Sequence, residues 1–260
     1  MSKPPLSFSA SFRLTALVLT LGTGVTPPTA RAQEKSPSGA KPASEAAVPA
    51  SPAEPSPAAP ASPAGAAGGD TVKIDFSKDE PGDLPSDYMV SDAEAKFTIE
   101  DDSGNKALRM NPSPIVDGGV LVGKSVKGGA TVTARIRATG KRRSFPRFGV
   151  GLHGVSGYRL LAAPADKELQ VMKDDAVVAK VPLEWKSGAW TNFEFSVTAS
   201  ADGGSAVEGR LWAEGQPRPD APQLTFAAKT PPATGKASVW AAPYSELPVD
   251  FDDITVTAKP

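Results

Sequence analysis

Apolar residues recur at every second position in a series of short runs that begins near residue 72. In one of these runs Phe193, Phe195 and Val197 alternate with polar residues. A two-residue period sends successive side chains to opposite faces, so it indicates β-strands that each bury one face. The runs with this alternation are 72–76, 132–136, 148–153, 193–197 and 207–212.

Clusters of Gly, Asp, Ser and Asn separate these runs and mark the turns between them. They lie at 102–105, 127–129, 173–175 and 201–204. Many short strands alternate with such turns, and no stretch sustains the 3.6-residue period of a helix. The pattern therefore predicts an all-β fold, namely an antiparallel β-sandwich.

One strand near the carboxyl end changes phase. Phe251 belongs to one side of the alternation, whereas Ile254 and Val256 have the opposite parity. A slip of one residue is what a β-bulge produces, so we predict a bulge at Asp252-Asp253.

The amino-terminal 32 residues are typical of an export signal. A sparse positive start precedes the apolar run 14–25, and Ala30-Arg31-Ala32 supplies the pattern that signal peptidase recognises. Twelve apolar residues are too few to cross a bilayer, which takes roughly 20. We expect residues 1–32 to be removed before Gln33, leaving a mature chain without a transmembrane span in the periplasm or outside the cell. An uncleaved amino-terminal anchor is the alternative.

Residues 33–69 cannot supply a hydrophobic core. Of these residues 12 are Ala, 8 Pro, 6 Ser and 4 Gly. Frequent prolines block helix and favour extended chain, so we expect a disordered Pro/Ala/Ser-rich linker that acts as a spacer. Recognition of its proline motifs by a partner is the alternative. The remaining residues, 70–260, have a length that suits a single domain.

Charge and composition exclude several classes of function. The chain has 28 Lys and Arg against 29 Asp and Glu, a formal net charge of −1, which argues against binding to nucleic acid or to an anionic membrane. It has no Cys and a single His. Disulfides, catalytic thiols, thiolate zinc sites and HExxH zinc chemistry are therefore excluded.

Dispersed short segments of residues 70–260 resemble secreted bacterial jelly-roll domains. The resemblance is to the concanavalin A-like lectin/glucanase superfamily, and within it to the laminin-G-like and 3-keto-disaccharide-hydrolase-like branches. It implies a sandwich of two curved antiparallel sheets, of which the concave one often carries a carbohydrate site. The segments that carry it are 74–76, 81–85, 105–109, 148–154, 157–160, 210–215 and 249–256, together with Trp190.

The sequence departs from the enzymes of this superfamily. The E-x-D-x-x-E strand of the family-16 glucanases is missing, and so is the FDGK-type opening of the 3-keto-disaccharide hydrolases. Glycoside hydrolysis needs two opposed carboxylates, and Glu194 and Glu208 are the only Glu residues in the predicted strands. The sequence favours carbohydrate binding without catalysis and names no catalytic residue. A glycoside-processing enzyme and a structural or protein-binding module of the cell envelope are the alternatives.

Three polar-face residues are candidates for glycan binding. Trp212 shares parity with Arg210, so both should face outward, where an indole stacks on a sugar ring while neighbouring polar groups bind its hydroxyls. His153 shares parity with Gly149 and Gly151, whose missing side chains leave a bare groove on one sheet face. A Trp212 covered by a loop and a His153 bonded within the fold are the alternatives.

Arginines around the 141–143 run add to the candidate site. Arg135 ends a predicted strand on its polar face, and Arg142 lies in the basic cluster that follows. Such a cluster binds sulfated or uronate-rich glycans through bidentate contacts, or else forms a solvated hairpin tip. The formal G-x-G-x-x-G match at 149–154 lies within a strand pattern rather than at the start of a helix, so it does not indicate a dinucleotide site.

The chain requires no cofactor by sequence, and a structural calcium ion is the one metal considered. The resemblance implies such an ion between the first and last strands. Asp75, Asp252 and Asp253 would be its local oxygen donors, since calcium binds six to eight hard oxygens.

Overall fold

The computed structural model describes residues 69–86 and 88–259, where no helix is long and apolar enough to cross a membrane. The predicted signal peptide over 1–32 and the predicted linker over 33–69, apart from Gly69, lie outside the described residues. The strands are β1 (Thr71–Ile74), β2 (Gly82–Asp83), β3 (Met89–Val90), β4 (Phe97–Asp102), β5 (Asn105–Met110), β6 (Gly118–Lys127), β7 (Gly129–Arg137), β8 (Arg147–Leu152), β9 (Tyr158–Ala163), β10 (Glu168–Lys173), β11 (Ala176–Pro182), β12 (Trp190–Ala199), β13 (Ser205–Ala213), β14 (Leu224–Ala228), β15 (Thr234–Ala242) and β16 (Val249–Lys259).

These strands form two antiparallel sheets. The nine-stranded sheet has the order β14-β13-β12-β7-β16-β5-β4-β2, with β1 also paired to β16. The seven-stranded sheet has the order β11-β10-β9-β8-β15-β6-β3. The predicted all-β sandwich is confirmed.

The core lies between the two sheets. It is built from the apolar side chains of each alternating run, which point inward. Phe148 of β8 packs edge-on against Phe193 of β12, with ring centroids 5.8 Å apart. Phe195 and Phe251 are also fully buried in the same cluster. Because each such ring removes a large apolar area from water, truncating one to Ala costs about 3–5 kcal/mol of stability.

Two of the predicted turns are two-residue hairpins. Ser103 and Gly104 join β4 to β5 with φ of 59° and 91°, and Asp174 and Asp175 join β10 to β11 with φ of 46° and 62°. Positive φ at both central positions defines the type I′ turn, whose twist matches that of the strands. Gly, Asp and Asn tolerate this conformation best, which explains why these clusters indicated turns.

The predicted bulge in the last strand is confirmed. The register of β16 against β7 shifts between Asp252 and Thr255, and Asp253 has φ of 48°. The extra residue restores Ile254 to the core, where it is fully buried. The first predicted run is shorter than expected, because β1 ends at Ile74 and Phe76 has φ of 55°.

Candidate functional site

The outer face of the nine-stranded sheet carries a continuous row of charged side chains, which we call the ladder face. Strand pairing places Arg137 of β7 opposite Trp190 on one side and Asp250 on the other, and Asp250 opposite Arg109. Its members are Arg109, Arg135, Arg137, Trp190, Glu194, Arg210, Asp250 and Asp252.

Asp250 lies at the centre of the ladder face and is 4% exposed. It accepts hydrogen bonds from Nε and Nη2 of Arg109 at 2.6 and 3.2 Å, and from Nε and Nη2 of Arg137 at 3.1 and 2.9 Å. The hydrogen bond to Asp250 raises the pKa of Arg109 above its ordinary value. A carboxylate saturated in this way serves stability, because removing it would leave two partly buried cations with only their more exposed partners, Glu100 and Asp102.

Arg135 is held by three carboxylates and by Trp190, and one of the carboxylates is Asp253, whose Oδ2 lies 2.9 Å from the Arg135 Nε. Its Nη2 donates to Asp252 Oδ2 at 2.8 Å and its Nη1 donates to Glu214 Oε1 at 2.7 Å. The guanidinium carbons of Arg135 and Arg137 lie 4.6 and 4.8 Å from the centroid of Trp190. These distances are those of cation–π contacts, so both arginines already cover the indole.

Glu194 anchors the next part of the ladder face. Arg210 Nη1 donates to it at 2.9 Å, and Arg218 donates to it through Nε at 2.6 Å and Nη2 at 2.5 Å. Burial acts to raise the pKa of Glu194, but the Arg218 hydrogen bond and the charges of Arg218 and Arg210 outweigh it, so the pKa lies below its ordinary value. Glu194 therefore stays ionised at neutral pH and holds no proton to donate as a general acid.

The five predicted ligand-binding residues do not form one site. Arg135 and Arg210 face outward as expected, but their guanidinium groups are paired within the protein. Trp212 lines a different cleft of about 440 Å³ at the open edge of the sandwich, beside Leu211 and Val181. Arg142 is exposed in the loop between β7 and β8.

His153 does not lie in the groove beside Gly149 and Gly151, and this expectation was wrong. Strand β8 ends at Leu152, and His153 has φ of 67°, which breaks the strand parity on which the expectation rested. The imidazole is 7% exposed, and its Nε2 lies 2.8 Å from the carbonyl oxygen of Gly128 in the turn between β6 and β7. Burial lowers its pKa below the ordinary value, against the opposing hydrogen bond.

The three aspartates considered for calcium do not fit the ion in this arrangement. Asp252 already accepts from Arg135, from Asn105 Nδ2 at 2.8 Å and from the Asp253 amide at 2.7 Å. Asp75 accepts the amide and hydroxyl of Ser77 at 3.1 and 2.7 Å. Across residues 69–86 and 88–259 no three His, Cys, Asp or Glu side chains are grouped as a metal site requires. A guanidinium on the central carboxylate opposes a second cation there.

The outer face of the seven-stranded sheet is built differently, around glycines and one tryptophan. A Cβ on Gly119 would lie 2.6 Å from Cδ2 of Trp240, and one on Gly151 would lie 3.1 Å from its Nε1. Only glycine lets the indole lie this close to the strands beside β15. Its Nε1 donates to Ser238 Oγ at 2.8 Å, and the ring is 4% exposed beside Leu161.

Arg159 of β9 stacks on this tryptophan. Its guanidinium carbon lies 4.5 Å from the Trp240 ring centroid, and the residue is 6% exposed. One hydrogen bond holds it, from Nη2 to Asp175 Oδ1 at 2.7 Å, and the Asp175 side chain is 94% exposed. Its Nε is buried and has no hydrogen-bond partner within residues 69–86 and 88–259. Arg135, Arg147 and Arg210 also have a buried Nε without a hydrogen-bond partner among the described residues, and of these four arginines Arg159 is the one that lines the cleft over Trp240.

A cleft of about 390 Å³ opens over this stack, and we call it the Arg159 cleft. Arg159 and Trp240 belong to strands and form its floor, while loops and turns at the ends of the strands form its walls. The wall residues are Ser91, Asp92, Asp117, Val155, Ser156, Asp174 and Asp175.

Sequence reasoning missed the residues of the Arg159 cleft, although one signal pointed to its face. The alternating Gly149 and Gly151 lie on the face of the sheet where Trp240 and Arg159 pack, and Gly151 leaves room for both side chains. The sequence could not show which residues lie opposite these glycines. Trp240 lies opposite Gly149 because β15 pairs with β8, and these two residues are about 90 positions apart in the chain. Arg159 lies opposite Gly151 through the β8–β9 pairing.

Comparisons with known proteins find similarity at the level of structure. No protein-family profile and no curated protein matches the sequence. The structure is similar to a cellulose-induced protein, Cip1, at 15% identity, 72% coverage of this chain, 97% of that chain and a TM-score of 0.49. It is also similar to the carbohydrate-binding module CBM66 from Bacillus subtilis, at 13% identity, with 66% and 95% of the two chains covered and a TM-score of 0.44. A third is the PL-14 alginate lyase from Aplysia kurodai, at 11% identity, 69% and 98% coverage and a TM-score of 0.43. All three likenesses are of structure, at 15% sequence identity or below.

Proposed function

We propose that the sandwich binds carbohydrate in the Arg159 cleft and does not cleave it. The observation that carries this proposal is the position of Arg159, which lines the cleft, stacks on Trp240 and donates from Nη2 to the exposed Asp175. An acceptor that enters from solvent could share or replace this exposed carboxylate as the partner of the guanidinium.

The chemistry of the cleft walls fits a polyhydroxy ligand. A sugar hydroxyl both donates and accepts, so it is bound best where carboxylate acceptors and a guanidinium donor converge. The Arg159 cleft brings Asp92, Asp175 and the hydroxyls of Ser91 and Ser156 around Arg159. Its volume of about 390 Å³ lies within the range of about 300–1,000 Å³ that small-molecule sites occupy.

The ladder face is a weaker candidate for the same role. Its arginines are engaged by carboxylates at 2.6–3.2 Å, and its central tryptophan is covered by two of them. A ligand would have to break these contacts before it could form its own, which lowers the affinity it could reach.

Export belongs to the proposal and rests on the sequence of residues 1–32. A leader with a cleavage pattern, followed by a proline-rich spacer, suits a domain that works outside the cytoplasm. Expression of the full chain in a bacterial host followed by amino-terminal sequencing of the envelope and medium fractions tests this. We expect the mature protein to begin at Gln33, and an intact Met1 in every fraction would contradict export.

A glycan array probed with the full chain tests the binding site. We expect Arg159→Gln to weaken binding of any positive glycan by at least about tenfold, equivalent to roughly 1.4 kcal/mol. Arg142→Gln is the matched control, because it removes the same charge from an exposed loop position and should leave affinity unchanged. Thermal unfolding of both variants shows whether the Arg159 variant remains folded.

Tryptophan fluorescence provides a second readout. Trp240→Phe should abolish the change in fluorescence on glycan binding, whereas Trp212→Phe should preserve it. The reverse result would move the site to the Trp212 cleft. Release of reducing sugar by the purified protein would favour the enzyme, and silence over a broad array would favour a protein-binding module.

A further inference from the structure

The cations around the Arg159 cleft are all engaged by carboxylates of its own walls. Arg147 pairs with Asp117, and Arg159 pairs with Asp175 at 2.7 Å. Lys173 donates to the carbonyl oxygen of Ser156 and lies 3.3 Å from Asp174 Oδ2. An incoming anion would therefore have to compete with a wall carboxylate for each of these three cations.

Asp92 is the acid in the walls without a cationic partner among the described residues. Its Oδ1 accepts the amide of Glu94 at 2.8 Å, and its Oδ2 has no hydrogen bond within residues 69–86 and 88–259. The carboxylate is half-buried at the rim of the cleft. Four wall aspartates face three cations, so the cleft carries one excess negative charge.

These observations set the kind of glycan that the cleft accepts. A neutral sugar donates hydroxyl protons to Asp92 and Asp175 and accepts from Arg159, so every contact is favourable. A uronate or sulfate would have to compete with Asp175 for Arg159 and would lie beside Asp92, and placing like charges together disfavours binding. The second observation is the buried Arg159–Trp240 stack at the floor of the cleft, which distinguishes the cleft from a group of surface acids.

We infer that the Arg159 cleft selects neutral glycans and discriminates against uronate- and sulfate-bearing ones. This inference rests on the proposed function and makes it specific. It differs from the expectation raised by Arg142 and the basic run beside it, which lie in the exposed loop between β7 and β8 and line no part of this cleft.

The experiment compares oligosaccharides that share ring configuration and linkage and differ at carbon 6. The probes are β-1,4-mannohexaose against its hexamannuronate, and cellohexaose against its fully C6-oxidised form, added to the full chain by calorimetry. For a pair that binds, we expect the neutral member to be at least about tenfold tighter at low salt. The difference in affinity between the two members should decrease in 0.5 M salt, because the salt screens charges that are not in direct contact.

Two variants test the cause of this selectivity. Asp92→Asn and Asp175→Asn should each tighten binding of the uronate member several-fold, the second because it frees Arg159. Asp83→Asn removes the same charge from an exposed position in β2 and serves as the control.

The outcomes separate this inference from the proposed function. A uronate member that binds as tightly as its neutral partner, with binding lost in Arg159→Gln, would overturn the inference and leave carbohydrate binding intact. Unchanged selectivity in both aspartate variants would overturn the inference as well. Failure of these probes and of the whole array to bind would overturn the proposed function and the inference together.

Discussion

The two outer faces of the sandwich use the same residue types in opposite ways. On the ladder face Asp250 accepts four hydrogen bonds, two from Arg109 and two from Arg137. On the seven-stranded sheet Arg159 is more deeply buried than those arginines, yet a single solvent-exposed carboxylate holds it. Both faces hold arginines whose buried Nε has no hydrogen-bond partner among the described residues. The difference is that Arg159 lines a cleft and depends on one exposed carboxylate, whereas Arg109 and Arg137 share a buried one.

The largest expected effect comes from breaking the ladder face. Asp250→Asn leaves Arg109 and Arg137 facing a neutral amide, and the expected loss of unfolding free energy is about 3 kcal/mol, near the lower end for buried pairs because both arginines are about one-quarter exposed. Urea unfolding measures it. Asp175→Asn is the counterpart on the other face and should cost less than about 0.5 kcal/mol, since its side chain is 94% exposed. Equal losses in the two variants would abolish the distinction between the faces.

A smaller loss of stability should follow from replacing the glycine that lies against the Trp240 ring. Gly119→Ala places a methyl group 2.6 Å from Cδ2 of Trp240 and 2.8 Å from the Val239 carbonyl oxygen. We expect a loss of about 1–3 kcal/mol in stability together with loss of glycan binding, because the ring must move away from Arg159. The double variant with Trp240→Leu should cost less than the sum of the single variants, and strict additivity would mean that the methyl group and the ring do not meet.

The ladder face should also make stability depend on acid. The folded-state pKa of Glu194 lies below its unfolded value, so its contribution is present above an unfolded pKa of about 4.3 and is lost as the pH falls through the folded value. Glu194→Gln should therefore lower stability by about 1 kcal/mol at pH 7 and by progressively less below about pH 4. Urea unfolding at pH 7, 5 and 3 gives the curve. Glu208→Gln, at a side chain that is 43% exposed, removes the same charge as the control and should leave stability at pH 7 nearly unchanged.

The smallest effect is expected from removing metal. Arg135 and Asn105 already occupy the Asp252 carboxylate, so chelation with EDTA and addition of calcium should each change the melting temperature by less than about 1 °C. A calcium-dependent rise in melting temperature that disappears in Asp75→Asn would instead show that the ladder face opens to bind the ion.

The sequence predicted the parts of the fold that depend on local order. Alternation identified the strands that carry Phe193 and Phe195, and the parity change identified the bulge at Asp252-Asp253. Each of these features is set by residues within a few positions of one another. His153 was misplaced because its positive φ is imposed by the contacts that end β8, which the alternation does not record.

The candidate site depends on order that is not local. Trp240 and Arg159 meet only because β15 and β9 both pair with β8, and no spacing along the chain indicates this. The sequence marks Arg135 and Arg210 as candidates because arginine often binds ligands. The sequence does not show that each forms a salt bridge with a carboxylate on a neighbouring strand, Asp252 for Arg135 and Glu194 for Arg210.

The turn between β10 and β11 limits which residues can replace Asp175, the carboxylate that pairs with Arg159 in the proposed site. Asp174 and Asp175 both sit at positive φ, which leaves Asp, Asn and Gly as the residues that the backbone accepts readily. Among those three only Asp is charged, and an exchange there leaves the buried core untouched. A single base change from an Asp codon to an Asn or Gly codon is thus enough to alter the charge over Arg159, so this hairpin tip offers evolution a short path between ligand preferences on an unchanged scaffold.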